Sequence, residues 1–506
     1  MDGGRGISNL SEWAHSLLTL SPERTLFVSG GESVSSTAFH EQVSLFRGGI
    51  TRAGIMPDQI VAVACERNLR SVAAVFACFC DGALPFLFDP RQDPETCAKL
   101  FDSLRISGLV LGENQESGFF ASRLPYLKWS GEIHGVTPKT GVTAQHVAGG
   151  FLLHTAGTCG LPRAFQHSAA AVNWQANALI ANLRLKPGLE TWFTGSLASP
   201  ANFSFALCAT LKAGGTVVLD EPENALHEEP KLNGNQRILV MAQARDEESW
   251  NADRLLKLKG RLSSILVTDF PLTESYCTTL ISATDGVVWS GFSTAECAGF
   301  LALNTVPGVW PVESVGRPLA GSEIVIFGND GEQLGNNQPG RLAYKFAPRP
   351  EKVTSLTFQG KEQSSPFTFT GDWALVDDND FLYILGNEKA LFFKAGFIVK
   401  ALEIEDAIRN ASGLSDAVVF AVHDDETESE IAAVVSFTGE TTRLAEAISI
   451  LESRIPRYKV PERLAQIESF SRTPSGKKKR FGFATPPKYA PVEKAAVTSP
   501  EHGEGN

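Results

Sequence analysis

The sequence predicts an α/β protein: a large N-terminal part of doubly wound α/β subdomains, a small β-rich subdomain, and a smaller α+β domain. Between residues 59 and 270, short continuous apolar runs alternate with helical patterns. Strand, helix and strand at this spacing form βαβ units, which build parallel sheets. After about residue 310, short alternating strands and turns such as Asn329-Asp330-Gly331 are typical of antiparallel structure.

The elements of the α/β part follow from the apolar pattern in chain order. Residues 10–55 show amphipathic helical patterns around a short strand, Thr25–Val28. A helical pattern over 69–81 ends at Gly82, a residue typical of helix C-termini. A further helix is predicted over 168–184. Buried strands are predicted at 59–66, 84–90, 106–112, 151–153, 216–222, 238–243 and 264–270.

The C-terminal elements differ in type. Residues 372–386 predict a hairpin with its turn at Asp377–Asp380. The remaining pattern predicts a compact α+β domain, with helices at 400–411 and 441–453 and strands at 417–422 and 430–437. The segment from about 485 is rich in proline, glycine and charge, and disorder is expected there.

Composition limits the classes of function. A chain of 506 residues is too long for a single hydrophobic core and predicts several domains. Its 43% hydrophobic and 20% charged residues are typical of a globular protein. The net charge of −12 argues against a nucleic-acid partner, whose phosphates need a basic face. The eight cysteines are scattered without metal-ligand spacing. Most lie in apolar context, as Cys65, Cys78 and Cys80 do, which is typical of reduced core residues and favours a reducing compartment. No signal peptide or membrane-spanning run is recognised, so we expect a cytoplasmic protein.

The stretch 151–165, FLLHTAGTCGLPRAF, is the strongest candidate for a ligand loop. An apolar run is followed by small residues, which let backbone N–H groups crowd around an anion. The guanidinium of Arg163 is suited to phosphate oxygens. The alternative is an ordinary Thr/Gly-rich surface loop after a strand.

Three further stretches carry charged groups that suit a phosphate ligand. Glu296 in SGFSTAE follows a strand, where a carboxylate suits Mg²⁺, although a helix-start acid is the simpler interpretation. Asp372 in FTGDW lies after a Thr-Gly turn, where it suits ribose hydroxyls or needs no ligand at all. Lys477 begins the basic run of SRTPSGKKKR, which is either a solvated face or a loop that delivers a lysine to a reaction centre.

Taken together and in order, these stretches resemble the motifs of the AMP-forming adenylating superfamily, which includes acyl-CoA synthetases, nonribosomal-peptide adenylation domains and luciferases. HTAGTCGLPR is similar to the phosphate loop (Y/T)SGTTGxPK, FSTAE to YGxTE, and FTGD to (Y/R)TGD. GNEKALFFKAGFIVKALEIE (386–405) resembles the hinge stretch, and SRTPSGKKKR the closing motif PKTxxGKxxR. The resemblance covers residues 20–482.

The resemblance implies a site and a division into domains. The ATP phosphates would be bound by Thr155, Ala156, Gly157, Thr158, Gly160 and Arg163, and the nucleotide by Phe292, Ser293, Thr294 and Asp372. Glu296 would hold Mg²⁺, and Lys477 would be catalytic, bridging the carboxylate and the α-phosphate. The implied domains are 1–386, which binds ATP and the acid, a mobile domain 387–484 that carries Lys477, and the tail 485–506.

The chain departs from the superfamily pattern at several positions. Cys159 replaces a threonine and Arg163 the usual lysine of the phosphate loop, and Ala295 replaces the threonine of YGxTE. Asn387 stands at the hinge arginine and Lys389 at the hinge aspartate. Residues 267–272, VTDFPL, occupy the adenine-side loop without its glycines.

The function implied by the resemblance is activation of a carboxylic acid by Mg·ATP, followed by transfer of the acyl group to a thiol. CoA is the expected acceptor, and the run Leu391-Phe392-Phe393 resembles o-succinylbenzoate–CoA ligases. One alternative is an acyl-AMP ligase that loads the phosphopantetheine of a carrier protein. Another is a degenerate homologue that binds nucleotide or acyl groups without turnover.

Overall fold

The computed structural model divides the chain into two compact units, residues 1–384 with 472–477 and residues 385–471 with 478–506. The domain boundaries expected from the sequence, 1–386, 387–484 and 485–506, stay a prediction. The residues that the structure describes are 9–19, 21–112, 126–128, 133–134, 149–157, 162–222, 236–241, 255–268, 274–284, 287–305, 311, 313–346, 354–356, 366–394, 397–409, 414–422, 430–437, 451–473, 477–480 and 490–491.

The first unit contains a nine-stranded sheet whose six central strands are parallel, as the βαβ pattern predicts. Antiparallel pairs close both edges. In spatial order its strands are β16 (Arg317–Pro318), β15 (Gly299–Asn304), β14 (Val287–Thr294), β13 (Ser264–Thr268), β12 (Arg237–Met241), β10 (Glu190–Phe193), β11 (Thr216–Val218), β1 (Thr25–Ser29) and β2 (Glu32–Ser35).

An eight-stranded sheet forms the second layer, again with parallel central strands. Its order is β19 (Thr354–Leu356), β9 (Ala164–His167), β8 (Phe151–His154), β4 (Leu84–Phe88), β3 (Ile60–Ala64), β5 (Gly108–Leu111), β6 (Tyr126–Lys128) and β7 (Ile133–His134). The β-rich region forms a four-stranded sheet of β17 (Ser322–Phe327), β18 (Gly340–Phe346), β20 (Thr368–Val376) and β21 (Leu382–Asn387), the last of which crosses the division between the units.

Four helices of the first unit begin after a residue whose side chain accepts a backbone amide of the first turn. The helix predicted over 69–81 is present: Asn68 accepts from the Ser71 amide at its start, and Gly82 ends it at φ 72°. The α-helices are α1 (Leu10–Thr19), α2 (Ser36–Arg52), α3 (Leu69–Asp81), α4 (Pro94–Leu104), α5 (Ala169–Leu183), α6 (Thr210–Lys212) and α7 (Glu274–Thr284); a π-helix spans Asn202–Ala209 and a 3₁₀ turn Ala295–Cys297.

The largest apolar core lies between the two large sheets. It joins Phe27 and Phe193 of the nine-stranded sheet to Val61 and Phe151 of the eight-stranded sheet. Side chains of α1, α2, α3, α5 and the π-helix fill the space between them. This core therefore fixes the strand ends from which the candidate site residues extend.

The second unit is built around α8 (Ala401–Arg409) and a four-stranded sheet. Ile404 and Ile408 of α8 pack against Val419 of the sheet. The strands of this unit are the hairpin β22 (Leu391–Lys394) and β23 (Phe397–Lys400), and the sheet β24 (Leu414–Val422), β25 (Glu430–Phe437), β26 (Arg463–Gln466) and β27 (Ala490–Pro491); 3₁₀ turns span Glu388–Ala390 and Arg457–Lys459.

Two expectations about local structure are wrong. The FTGD residues lie inside β20 rather than in a turn before it, because a register shift in the pairing of β18 with β20 accommodates Gly371 at φ 81°. The strand expected over 216–222 ends at Val218. The chain turns there because the Asp220 carboxylate accepts the amides of Gly30 and Gly31 at 2.5 and 2.8 Å.

Other expectations fall partly outside the described residues. Of the helix expected over 441–453, only residues 451–453 are described, and they are helical. In the tail, Ala490–Pro491 pair with β26, and the rest lies outside the described part of the chain. Within the described residues, no helix has the length and apolar character needed to cross a bilayer.

Candidate active site

The candidate phosphate loop joins two antiparallel strands, β8 and β9. Its two ends are tied together, since the Thr155 amide donates to the Arg163 carbonyl at 2.9 Å and the Arg163 amide donates to Thr155 Oγ1 at 3.0 Å. Gly157 adopts φ 68°, a left-handed conformation that favours glycine. Thr158, Cys159 and Gly160 lie outside the described residues. The described part is therefore a closed loop with Thr155, Ala156 and Gly157 on one side and Arg163 on the other.

Glu296 lies at the end of β14, in the 3₁₀ turn Ala295–Cys297. Thr294 caps this turn by accepting the Cys297 amide at 3.3 Å. The hydroxyl of Tyr344 donates to the Glu296 carbonyl, and the Glu296 residue is only 3% exposed. The backbone that carries the Glu296 carboxylate is thus fixed by two hydrogen bonds, one to Thr294 and one from Tyr344.

Arg163 joins these two segments. Its Nη2 donates to Glu296 Oε1 at 2.8 Å and to the Thr370 carbonyl of β20 at 3.1 Å. Its guanidinium lies over the Phe165 ring, 5.5 Å from the ring centroid. Three stretches that the sequence singled out, the phosphate loop, FSTAE and FTGD, therefore meet at one guanidinium.

The electrostatics of Glu296 place Asp372 in the same site. Burial raises the pKa of the Glu296 carboxyl to about 7, while Arg163 opposes this shift and the nearby negative charge of Asp372 adds to it. The Asp372 amide donates to Thr370 Oγ1 at 3.1 Å, within β20. The Glu296 carboxylate therefore lies in the field of one guanidinium, that of Arg163, and of one further carboxylate, that of Asp372.

A buried histidine that the sequence patterns did not identify, His167, contacts the turn that carries Glu296. His167 Nε2 contacts the Ala295 carbonyl at 2.7 Å, so this nitrogen carries the hydrogen. The ring lies 5.4 Å from Phe151, and burial lowers the pKa of His167 to about 4. The only sequence signal was the alternation of Phe165 and His167 along a strand that follows the loop.

A second histidine lies at the entrance of the loop. His154 Nδ1 donates to the Thr155 carbonyl at 2.8 Å, whereas its Nε2 is buried without a hydrogen-bond partner. Burial lowers the pKa of His154. Both histidines are therefore neutral near pH 7 and leave the positive charge of this region to Arg163.

The expected nucleotide residues lie on the strand that leads to Glu296. Phe292, Ser293 and Thr294 are each at most 9% exposed. Ser293 Oγ lies 3.0 Å from Thr268 Oγ1, so the end of β14 is joined to the end of β13. Residues 269–272 of the adenine-side stretch VTDFPL lie outside the described residues.

Lys477 follows a tight local pairing. The Thr473 amide donates to the Lys477 carbonyl at 2.7 Å, and the Lys477 side chain is partly exposed. The hinge residue Asn387 ends β21 and is followed by the 3₁₀ turn Glu388–Ala390. Among the described His, Cys, Asp and Glu side chains, no group of three or more is arranged to hold a metal ion. The roles expected for these residues stay predictions.

Comparison with known families gives matches in both parts of the chain. The family described as AMP-binding enzyme matches residues 18–346. The family described as AMP-binding enzyme C-terminal domain matches residues 403–477.

Individual relatives are distant in sequence. A naringenin synthase of Pestalotiopsis fici is 21% identical over 504 residues, which are 92% of this chain but 18% of that much longer protein. A 2-succinylbenzoate–CoA ligase of Bacillus cereus is 21% identical over 487 residues, which are 93% of this chain and 97% of that ligase. Among solved structures, the o-succinylbenzoate coenzyme A synthetase of Bacillus subtilis in complex with ATP and magnesium ion superposes with a TM-score of 0.76 at 17% identity, covering 92% of this chain and 98% of that one.

Proposed function

This chain belongs to the AMP-binding enzyme family and is an AMP-forming ligase, and from that premise we propose that it converts a carboxylic acid to an acyl-adenylate and then to a CoA thioester. In the first step a carboxylate oxygen attacks the α-phosphorus of ATP, and pyrophosphate leaves. In the second step the thiol of CoA attacks the acyl carbonyl carbon, and AMP leaves.

The observation that carries the proposal is the meeting of Arg163 with Glu296 and Thr370. A small-residue loop, a buried carboxylate and a strand carrying Asp372 converge where a triphosphate needs donors, a cation site and a ribose acceptor. Their convergence supports a site for Mg·ATP.

The residues present fit a magnesium ion of the kind that bridges phosphates. Mg²⁺ is usually held by one or two carboxylates together with substrate phosphates. Glu296, buried and with a second carboxylate nearby, would hold it. When bound, Mg²⁺ would neutralise part of the negative charge of the phosphates.

The chain's own residues then divide the remaining work. Arg163 would turn from Glu296 to phosphate oxygens as the nucleotide enters, because phosphate offers its guanidinium a stronger bidentate acceptor. Asp372 would accept hydrogen bonds from ribose hydroxyls. Lys477 would bridge the attacking carboxylate and the α-phosphate, where an ammonium stabilises the charge that builds up as two anions meet.

CoA is proposed as the acceptor because the chain matches a 2-succinylbenzoate–CoA ligase along nearly the full length of both proteins. The same match, together with Leu391-Phe392-Phe393, supports an aromatic or o-succinylbenzoate-like acid as substrate. Tyrocidine synthase 3 of Brevibacillus parabrevis also matches, at 25% identity over 95% of this chain and 8% of that protein, and the superfamily that the motifs resemble includes nonribosomal-peptide adenylation domains. A carrier-protein phosphopantetheine is therefore the second candidate acceptor.

The experiment that tests the acceptor uses purified protein, ATP, Mg²⁺ and an acid that supports pyrophosphate release. CoA is added to one sample and a holo carrier protein to another, and thioester is detected by mass spectrometry. We expect acyl-CoA in the first sample and an unmodified carrier in the second. Acylated carrier without acyl-CoA would contradict CoA as the acceptor.

A function without turnover is the competing proposal, and the substitutions Asn387, Lys389 and Ala295 favour it. Glu296, Asp372 and Lys477 are nevertheless present, and the first two lie in the site described above. Nucleotide binding without acid-dependent pyrophosphate release would support this competitor.

A further inference from the structure

A buried ion cluster lies directly beside Lys477 in the sequence. Lys478 is 4% exposed, and its Nζ contacts Asp416 Oδ1 at 2.6 Å and Glu405 Oε2 at 3.2 Å. It also donates to the Ala417 carbonyl. An ammonium with three oxygen partners in the interior of the second unit is held in one position.

Arg480 completes the cluster from the same segment. Its Nη2 donates to Glu405 Oε2 at 2.9 Å, and its Nη1 donates to the Val419 carbonyl at 3.2 Å. Glu405 is fully buried and accepts the Val419 amide at 3.0 Å. Glu405 therefore links the segment of Lys478 and Arg480 to both helix α8 and strand β24.

The segment that carries Lys478 and Arg480 is also fixed through its backbone. The Lys479 amide donates to the Ser471 carbonyl at 2.9 Å. In an extended segment, successive side chains point to opposite sides, so a segment whose 478 and 480 side chains point inward directs those of 477 and 479 outward. Lys478 is buried, whereas its neighbours Lys477 and Lys479 are both more exposed, in agreement with this alternation.

We propose that Lys478 is a positioning residue for Lys477: its buried contacts with Asp416, Glu405 and the Ala417 carbonyl fix the backbone from which the catalytic ammonium extends. The inference rests on the proposed function, because it assigns a task to the neighbour of the residue expected to bridge carboxylate and α-phosphate. Arg480 supports the same segment through Glu405.

The physical reason for such a clamp is the conformational freedom of the Lys477 side chain. A lysine loses more rotamer freedom on ordering than most residues do, so the position of its ammonium is well defined only when the backbone that carries it is fixed. A displacement of about 1 Å at a catalytic group costs about 10²-fold in rate. A buried ion pair is a weak source of stability, because desolvation offsets its attraction, whereas its directed hydrogen bonds define position well.

The test compares Lys478→Met, Asp416→Asn and the double variant in the full-length chain. The double variant removes both charges of the pair and so avoids an uncompensated buried carboxylate. The control pair is Lys459→Met with Glu403→Gln, which removes a different ion pair of the second unit, between Glu403 of helix α8 and Lys459, 2.6 Å long in the unmodified protein. Acid-dependent ATP–pyrophosphate exchange, transfer of a synthetic acyl-adenylate to CoA, and hydrogen exchange of the Lys479 amide are measured for each variant.

We expect the double variant to lose about 10²-fold in pyrophosphate exchange, and acyl transfer from the supplied adenylate to stay within about twofold. The Lys479 amide of the double variant should exchange with solvent at least about tenfold faster. The control pair should change neither the rate of pyrophosphate exchange nor the rate of hydrogen exchange at the Lys479 amide. In a Lys477→Ala background, Lys478→Met should reduce the rate of pyrophosphate exchange by less than about a further twofold, because Lys478 acts through Lys477.

Equal losses in both half-reactions, or an unchanged Lys479 amide, would overturn the positioning role. A protein that shows no acid-dependent exchange before any substitution would instead contradict the proposed function. In that case, the exchange rate of the Lys479 amide in the variants still shows whether Lys478 fixes this part of the backbone.

Discussion

Nη2 of Arg163 lies 2.8 Å from Oε1 of Glu296, although 133 residues separate them in the chain. The Arg163 side chain is 38% exposed, whereas that of Glu296 is 4% exposed. The guanidinium therefore faces the solvent side of a buried carboxylate and covers it. In the proposed site, a ligand that drew Arg163 away would uncover the carboxylate, and a cation bound at Glu296 would release the guanidinium, so binding of either would favour binding of the other.

Removing the charge of Glu296 tests its proposed use as the cation ligand. Glu296→Gln keeps the shape of the side chain but offers a neutral amide in place of a carboxylate, so a Mg²⁺ ion that binds with ATP would lose its proposed protein ligand. We expect acid-dependent pyrophosphate release to fall about 10²–10³-fold. Glu323→Gln, whose carboxylate pairs with Lys345 at 2.9 Å, is the matched control and should keep full activity. Equal activity of both variants would show that Glu296 has no catalytic part.

Arg163 should tolerate lysine better than a neutral residue. The guanidinium lowers the pKa of Glu296 against the effect of burial, so Arg163→Gln leaves a carboxyl that is protonated more readily and a loop without its cation. We expect the KM for ATP to rise about 100-fold in Arg163→Gln and about 10-fold or less in Arg163→Lys. Steady-state kinetics over ATP concentration measure both, with the exposed Arg317→Lys as control. A larger loss in Arg163→Lys than in Arg163→Gln would contradict this role.

Asp372 should affect the binding of the nucleotide more than the chemical step. Asp372→Ala removes the carboxylate proposed to accept ribose hydroxyls, and it also removes a negative charge that raises the pKa of Glu296. We expect the KM for ATP to rise about 10-fold or more, with a smaller change in kcat. Asp330→Ala, at an exposed turn of the β-rich region, is the control. A fall in kcat with an unchanged KM would assign Asp372 a different task.

His167 should make the stability of the first unit depend on pH. Its pKa is about 4 in the folded protein and 6.5 ordinarily, so between these values the unfolded chain binds a proton that the folded chain does not. The contribution is fully present above pH 6.5 and is lost as the pH falls towards 4, by about 3 kcal/mol in all. Urea unfolding at several pH values measures it.

In His167→Gln the side-chain amide can donate to the Ala295 carbonyl but does not titrate. We therefore expect a smaller loss of unfolding free energy between pH 6.5 and pH 4 than in the unmodified protein. His40→Gln, at an exposed position of helix α2, controls for the substitution itself. Identical pH dependence in His167→Gln and the unmodified protein would show that His167 is not the group responsible.

Much of the fold could be predicted because local patterns and burial agree. Continuous apolar runs such as Ile60–Ala64 are strands that the core covers on both faces, and the Gly82 C-cap ended α3 where expected. The FTGD stretch was different. Thr370, Gly371 and Asp372 have turn-like composition, yet pairing with β18 keeps them in a strand, and of the three only Gly371 has a positive φ.

The candidate site could be predicted as a set of residues but not as a set of contacts. Glu296, Asp372 and Arg163 carry charges in motifs, so the sequence identifies them. The Thr370 carbonyl and the Tyr344 hydroxyl act through position alone, since one is a backbone group and the other reaches the site from β18. His167 was missed for the same reason: its ring nitrogen matters only because β9 places it under Ala295.

The measurement that tests the central claim most directly is ATP–pyrophosphate exchange by the full-length protein with aromatic, dicarboxylic, fatty and amino acids in turn. We predict exchange that depends on one class of acid and on Mg²⁺. We also predict that Lys477→Ala lowers the rate of this exchange by orders of magnitude, while nucleotide binding measured by calorimetry stays nearly unchanged. Lys479→Ala is the control at a neighbouring position. Exchange at an undiminished rate in Lys477→Ala, or silence of the unmodified protein with every class of acid, would contradict the account.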